Sequence, residues 1–79
     1  MAKFVKRPVV IDAVQYTGDN LPDVMQFSEG KCSYDNGILS VNTLEGKITA
    51  SVKDWIIKGV QGEFYACKPD IFELTYEAV

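Results

Sequence analysis

Apolar positions in this 79-residue chain fall in short β-branched or alternating runs punctuated by Gly, Asn, Asp and Pro, a rhythm that predicts many short strands and little helix. The first run, Val9-Val10-Ile11 with Ala13 and Val14, is too short for a globular helix. It predicts a strand from Pro8 to Tyr16, lying inside a sheet or covered on two sides. Thr17-Gly18-Asp19-Asn20 then reads as a turn, with Asn20 placed to N-cap a helix that takes Pro22 in its first turn and Asp23 near the positive end of its dipole. Leu21, Val24, Met25 and Ser28 share one face of that helix, Phe27 sits at its margin, and Gly30 closes it, giving one short helix near residues 21–29.

Beyond Lys31 the punctuation belongs to hairpins. Asp35-Asn36-Gly37 is the strongest turn signal, because Asn and Gly tolerate the positive φ that a type I′ turn requires, so Cys32 to Tyr34 should pair with Ile38 to Thr43. Glu45-Gly46-Lys47 supplies the next reversal, and Ile48 to Val52 returns. Trp55 to Val60, a turn at Gln61-Gly62, and Glu63 to Cys67 make a further hairpin, whose alternation puts Trp55, Ile57 and Gly59 on one face and Ile56, Lys58 and Val60 on the other. Near the end, Pro69 suits the start of a single helical turn, and Phe72 to Tyr76 predicts a closing strand. The expected fold is α+β, with six to seven short strands in a mostly antiparallel sheet or partly open barrel and one short helix, in a single domain over residues 1–79.

Composition adds size limits to this picture. With 47% hydrophobic and 24% charged residues the chain is ordinary globular material. A chain of this length buries only about 60% of its unfolded surface, so the core is small and the many strand edges need cover. Lys47, Lys58 and the N-terminal basic residues are candidate edge guards, and a homo-oligomer formed through an edge or an exposed sheet face is expected. The net charge of −3 is unevenly placed: Lys3, Lys6 and Arg7 make a short basic arm over residues 1–7, followed by five lysines against eleven acids. An acidic body gives no strong attraction for nucleic acid or anionic lipid. The arm reads either as solvated charge at a terminus or as a phosphate-contacting segment.

Candidate chemistry is sparse. The chain has no histidine, which removes the commonest general base and the commonest zinc ligand. Cys32 and Cys67 lie far apart with no C-x-x-C pair, so they are expected as reduced, mostly buried thiols, and no secretory signal precedes them; a reducing cytoplasm is the expected compartment. Asp54, Glu63, Asp70 and Glu73 include no pair that spacing singles out for acid–base work, and Asp54 equally suits capping its own turn. No glycine-rich phosphate loop is present. The expectation is therefore a non-enzymatic protein with no catalytic residue, no metal ligand and no cofactor. For binding, Trp55 or Tyr65 reads as a stacking platform for a base or sugar with Lys58 or Lys68 on a phosphate, and Tyr16 joins them if Gln15, Tyr16 and Trp55 line one concave surface. The polar run Gln15 to Asn20 carries two readings, a turn with a capped helix or an anion site at a helix N-terminus.

The opening Lys6-Arg7-Pro8-Val9-Val10-Ile11-Asp12-Ala13-Val14-Gln15-Tyr16-Thr17-Gly18-Asp19-Asn20 and the closing Asp54-Trp55-Ile56-Ile57-Lys58-Gly59-Val60-Gln61-Gly62-Glu63-Phe64-Tyr65-Ala66-Cys67-Lys68-Pro69-Asp70-Ile71-Phe72-Glu73 resemble a widespread family of small phage and prophage proteins. Its members characteristically open as KKPVVIEAVQW and end as PGDWIIRGVKGEFYPCKPDIFEATYE. This chain departs at Val52-Lys53, where the family has Pro-Gly, and at Ala66, where it often has Pro; the first departure implies a less constrained turn ahead of Trp55. The resemblance implies context: a protein in the cytoplasm of a bacterial host, or in the virion, encoded among small accessory proteins. Two kinds of partner follow from it. One is a host or phage protein docked or inhibited by this chain, and the other is a small nucleotide-like ligand sequestered in the manner of counter-defence proteins; a minor virion or assembly role is a third implication.

Overall fold

The computed structural model describes residues 1–5 and 8–79. Elements follow in the order β1 (Asp12–Gln15), α1 (Leu21–Phe27), β2 (Cys32–Asp35), β3 (Ile38–Thr43), β4 (Gly46–Ala50), β5 (Trp55–Lys58), β6 (Phe64–Cys67) and α2 (Pro69–Thr75). Six strands form two antiparallel three-stranded sheets, β1-β5-β6 and β2-β3-β4, which do not close into a barrel. The α+β architecture expected from the hydrophobic rhythm is thus the observed one, with two helices instead of one.

Local chemistry explains most of these elements. Asn36 and Gly37 both take positive φ, 51° and 77°, so a two-residue loop joins β2 to β3 with Asp35 opposite Ile38. The following reversal lies at Leu44-Glu45, one residue ahead of the expected site, with Thr43 opposite Gly46. In α1 the apolar stripe lands as read: Val24 is fully buried, as is Ser28 just past the helix, while Leu21, Met25 and Phe27 pack on the core. Asn20 stands at the N-cap, yet its side chain turns away from the helix. Its Oδ1 accepts the Thr17 N–H at 2.9 Å and its Nδ2 donates to the Gln15 carbonyl at 2.7 Å, so it ties down the preceding loop.

The first sheet differs from expectation in its margins. The predicted strand from Pro8 to Tyr16 pairs only over Asp12–Gln15, because its neighbour β5 is four residues long and Gly59 already turns away. That strand is also an edge and β5 is the centre, so Val9 and Val10 stay largely exposed instead of buried. Lys58 accordingly sits on a central strand and guards no edge; its Nζ meets Glu29 Oε2 at 2.9 Å. Lys47 does lie on an outer strand, β4, whereas Lys6 and Arg7 lie outside the described residues.

The core forms where the two sheets face each other, with β6 against β3 and β4. Leu39, Val41, Ala50 and Cys32 from one sheet meet Ile56 and Phe64 from the other, with Tyr16 just past β1 and Val24 of α1 completing the cluster. Phe27 meets Phe64 edge-on, ring centroids 5.7 Å apart. Ile57, on the opposite face of β5 from Ile56, is just as fully buried, so this strand is covered on both sides. The second cover includes α2. The expected closing strand over Phe72–Tyr76 is helix instead: Phe72 and Tyr76 are four apart, so a helix brings both rings onto the sheet, while Leu74 between them is left 89% exposed. Pro69 begins that helix as expected, and Lys68 precedes it in extended conformation.

Candidate functional site

The outer face of β1-β5-β6 presents Ala13, Ile57 and Tyr65 in one cross-strand row and Gln15, Trp55 and Cys67 in the next. Helix α2 lies over it without burying any of its own residues completely. Trp55 and Phe72 stack with centroids 4.1 Å apart and planes 5° from parallel, Phe72 continues to Tyr76 at 4.9 Å, and the Tyr65 and Tyr76 hydroxyls stand 3.5 Å apart. That hydroxyl neighbour, with burial adding to it, pushes the Tyr65 phenol up to about 12.

Between this face, the segment Pro8 to Ile11, the 59–63 turn and the residues after α2 lies a cleft of about 830 Å³. Its walls are mainly apolar: Val9, Val10, Trp55, Val60, Phe72 and Tyr76. The charged side chains lining it are Glu63 and Glu77; no lysine or arginine lines it among the described residues. The turn that forms one wall is well specified. Gly62 N–H donates to the Gly59 carbonyl at 3.0 Å and Gly59 N–H to the Glu63 carbonyl at 2.7 Å, with Gly62 at φ 83°, the left-handed corner of a three-residue hairpin loop.

The four sequence-predicted site residues divide evenly. Trp55 and Tyr65 line the cleft. Tyr16 does not: it is 6% exposed and belongs to the core on the other side of the sheet, so no concave surface unites it with Gln15 and Trp55. Gln15 instead donates to the Lys53 carbonyl at 2.9 Å. Lys68 is absent from the lining too, its ammonium held 3.1 Å from Asp54 Oδ2. Asp54 is 3% exposed and the same oxygen accepts the Ser51 N–H at 2.9 Å, so this carboxylate caps its own turn and anchors the residue that precedes α2.

Other candidates resolve as structure. The polar run from Gln15 to Asn20 spends its groups on its own loop, Thr17 Oγ1 donating to Asp19 at 2.6 Å, and α1 is only seven residues long. Cys32 and Cys67 are both free thiols, the first buried and the second half-buried, and burial is the main effect pushing both upward. Among the described residues no group of three His, Cys, Asp or Glu side chains is placed to hold a metal ion, and no helix is long and apolar enough to cross a membrane. The residues missed by sequence reasoning are Val9, Val10, Val60, Phe72 and Tyr76, all assigned there to strands. The i, i+4 spacing of the two aromatics was the signal available for them.

Against protein-family models, curated proteins and solved structures, the chain finds no match.

Proposed function

We propose that this protein acts by binding, as a protein-interaction module of a phage or prophage accessory protein, and that the cleft beside α2 is its docking surface. The observation that carries this reading is the cleft's lining: apolar walls of Val9, Val10, Trp55, Val60, Phe72 and Tyr76 and, among the described residues, only carboxylates for charge. Such a site suits an extended segment with an apolar anchor flanked by Lys or Arg, bound as a host or phage protein is captured by an inhibitor. A nucleotide-like ligand needs convergent cations, and the two expected as its phosphate contact, Lys58 and Lys68, are engaged by Glu29 and Asp54.

The test is selection of displayed peptides on the immobilised protein. Enriched sequences should carry an apolar anchor with basic flanks and should lose binding to a Val60→Asp variant, whose exposed loop position leaves the fold intact. Failure to enrich any peptide sensitive to Val60→Asp overturns the docking reading. So does thermal stabilisation by nucleotides or cyclic dinucleotides, since a ligand present at about 100 times its Kd adds roughly 2.7 kcal/mol and would reveal a trap.

A further inference from the structure

The described part of the N-terminal arm stands away from the body. Phe4 is 94% exposed and Val5 90% exposed. The Cα radius of gyration, 13.5 Å, exceeds the roughly 12 Å expected of a compact chain of this length, as a projecting segment requires. In sequence these two apolar residues are bracketed by Lys3 on one side and Lys6-Arg7 on the other. An exposed phenylalanine beside an exposed valine, set among cations on an otherwise acidic chain, is the chemical complement of the cleft with its apolar walls and its Glu63 and Glu77. On the body, Lys58 is engaged by Glu29 and Lys68 by Asp54.

We infer that the occupant of the cleft is the N-terminal arm of a second copy of this chain, with Phe4 and Val5 seated against Val60, Phe72 and Tyr76 and Lys3 facing Glu63 and Glu77. This rests on the reading of the cleft as a docking surface and names what fills it. The arm enters the partner's cleft and not its own: within one chain Pro8 forms part of the cleft wall while Phe4 and Val5 remain in solvent. Phe4 lies four residues from Pro8 in the cleft wall, at most about 14 Å of chain, so exchange requires the clefts of the two copies to face each other. Exchange in both directions gives a closed two-fold pair in which each cleft is complete only with the other chain. The dimer also controls access, because an arm in the cleft competes with any external segment and must leave before a partner binds.

Sedimentation of the full chain over a wide concentration range, followed in parallel by the emission of Trp55, the only tryptophan, tests this directly. The wild-type protein should form a concentration-dependent dimer with Trp55 emission shifted to the blue as it forms. Phe4→Ser should weaken dimerisation at least tenfold while leaving the melting temperature of the monomer unchanged, since Phe4 is solvent-exposed within the single chain. Lys3→Glu and Glu77→Lys should each weaken it, and together restore part of the loss. A synthetic peptide of residues 1–7 should shift Trp55 emission in the Phe4→Ser protein, and the same peptide carrying serine for phenylalanine should not. A monomer at every concentration, a dimer indifferent to Phe4→Ser, or a Trp55 shift that depends on Phe4 in a monomer each overturns arm exchange. In those cases selected peptides that still bind the cleft leave the docking reading standing, whereas their failure removes both.

Discussion

The turn ahead of Trp55 offers a substitution whose sign follows from one backbone angle. Asp54 N–H donates to the Ser51 carbonyl at 3.0 Å, closing a four-residue turn in which Lys53 occupies the third position with φ 85°. Positive φ at that position marks a type II turn, which favours Gly there and Pro just before it. This chain carries Val52-Lys53 at those two positions. Lys53 therefore adopts the turn's shape under strain. A residue with a Cβ pays about 1–2 kcal/mol in this region, and glycine returns about 0.5–1 kcal/mol through the larger entropy of its unfolded state. Lys53→Gly should stabilise the fold by about 0.5–1 kcal/mol, or roughly 2–8 °C in Tm for a domain of this size. The Lys53 side chain is exposed, and its backbone bonds, N–H to the Tyr16 carbonyl at 2.6 Å and carbonyl from Gln15 Nε2 at 2.9 Å, survive the change. Differential scanning calorimetry of Lys53→Gly beside Lys53→Ala isolates the cause, because alanine keeps the Cβ and should leave Tm within about 2 °C of wild type. Equal stabilisation by both substitutions, or none by glycine, would refute the assignment of strain to this residue.

Asp54→Ala should cost about 2 kcal/mol in urea unfolding, since it removes both the cap on Ser51 and the anchor of Lys68, whereas Lys68→Met, at a largely exposed ammonium, should cost no more than about 1 kcal/mol; a larger loss from the lysine side would contradict the capping role. The raised Tyr65 phenol has a defined linkage: the folded state holds its proton more tightly than the unfolded chain, so the stability it contributes is complete below about pH 10 and is lost as pH rises toward about 12. Ultraviolet titration should show that late phenolate, and Tyr76→Phe should bring it to lower pH; an unchanged titration would remove the hydroxyl pair as its cause. Thiol labelling under native conditions should modify Cys67 well before Cys32, which should react only at the rate of unfolding, and simultaneous labelling of both would contradict the burial of Cys32.

Much of the fold was legible where a local rule had no rival. Asn36-Gly37 admits few turns but type I′, and the alternation of Trp55 to Lys58 is an alternation of faces whatever covers them. Where two periods fit the same residues, the reading failed. Phe72, Leu74 and Tyr76 alternate as a strand does, and Phe72 and Tyr76 also match a helix; only the sheet face waiting for two rings decides between them. Strand length was hidden for a similar reason, since Val9 and Val10 have every local preference for a ladder and lack a partner to pair with. Of the candidate site, Trp55 and Tyr65 were legible, two of the four residues expected there. Tyr16 and Lys68 misled because which side of a sheet a tyrosine faces, and whether a lysine is free or held by a carboxylate from another turn, are properties of tertiary placement.

The division of the six strands also sets an order of assembly. The sheet β2-β3-β4 is a continuous meander whose hairpins close over two-residue loops, so it can form while the rest of the chain is still disordered. The other sheet must join Asp12 to Lys58 and Gln15 to Trp55, separations of 46 and 40 residues, before the core has a second wall. During synthesis β1 therefore leaves the ribosome long before its partner β5 exists, carrying beside it the apolar Val9-Val10-Ile11 run with an unpaired edge. The slow and aggregation-exposed step in making this protein is the closure of that long loop, and crowding among nascent chains is where its cost would be felt.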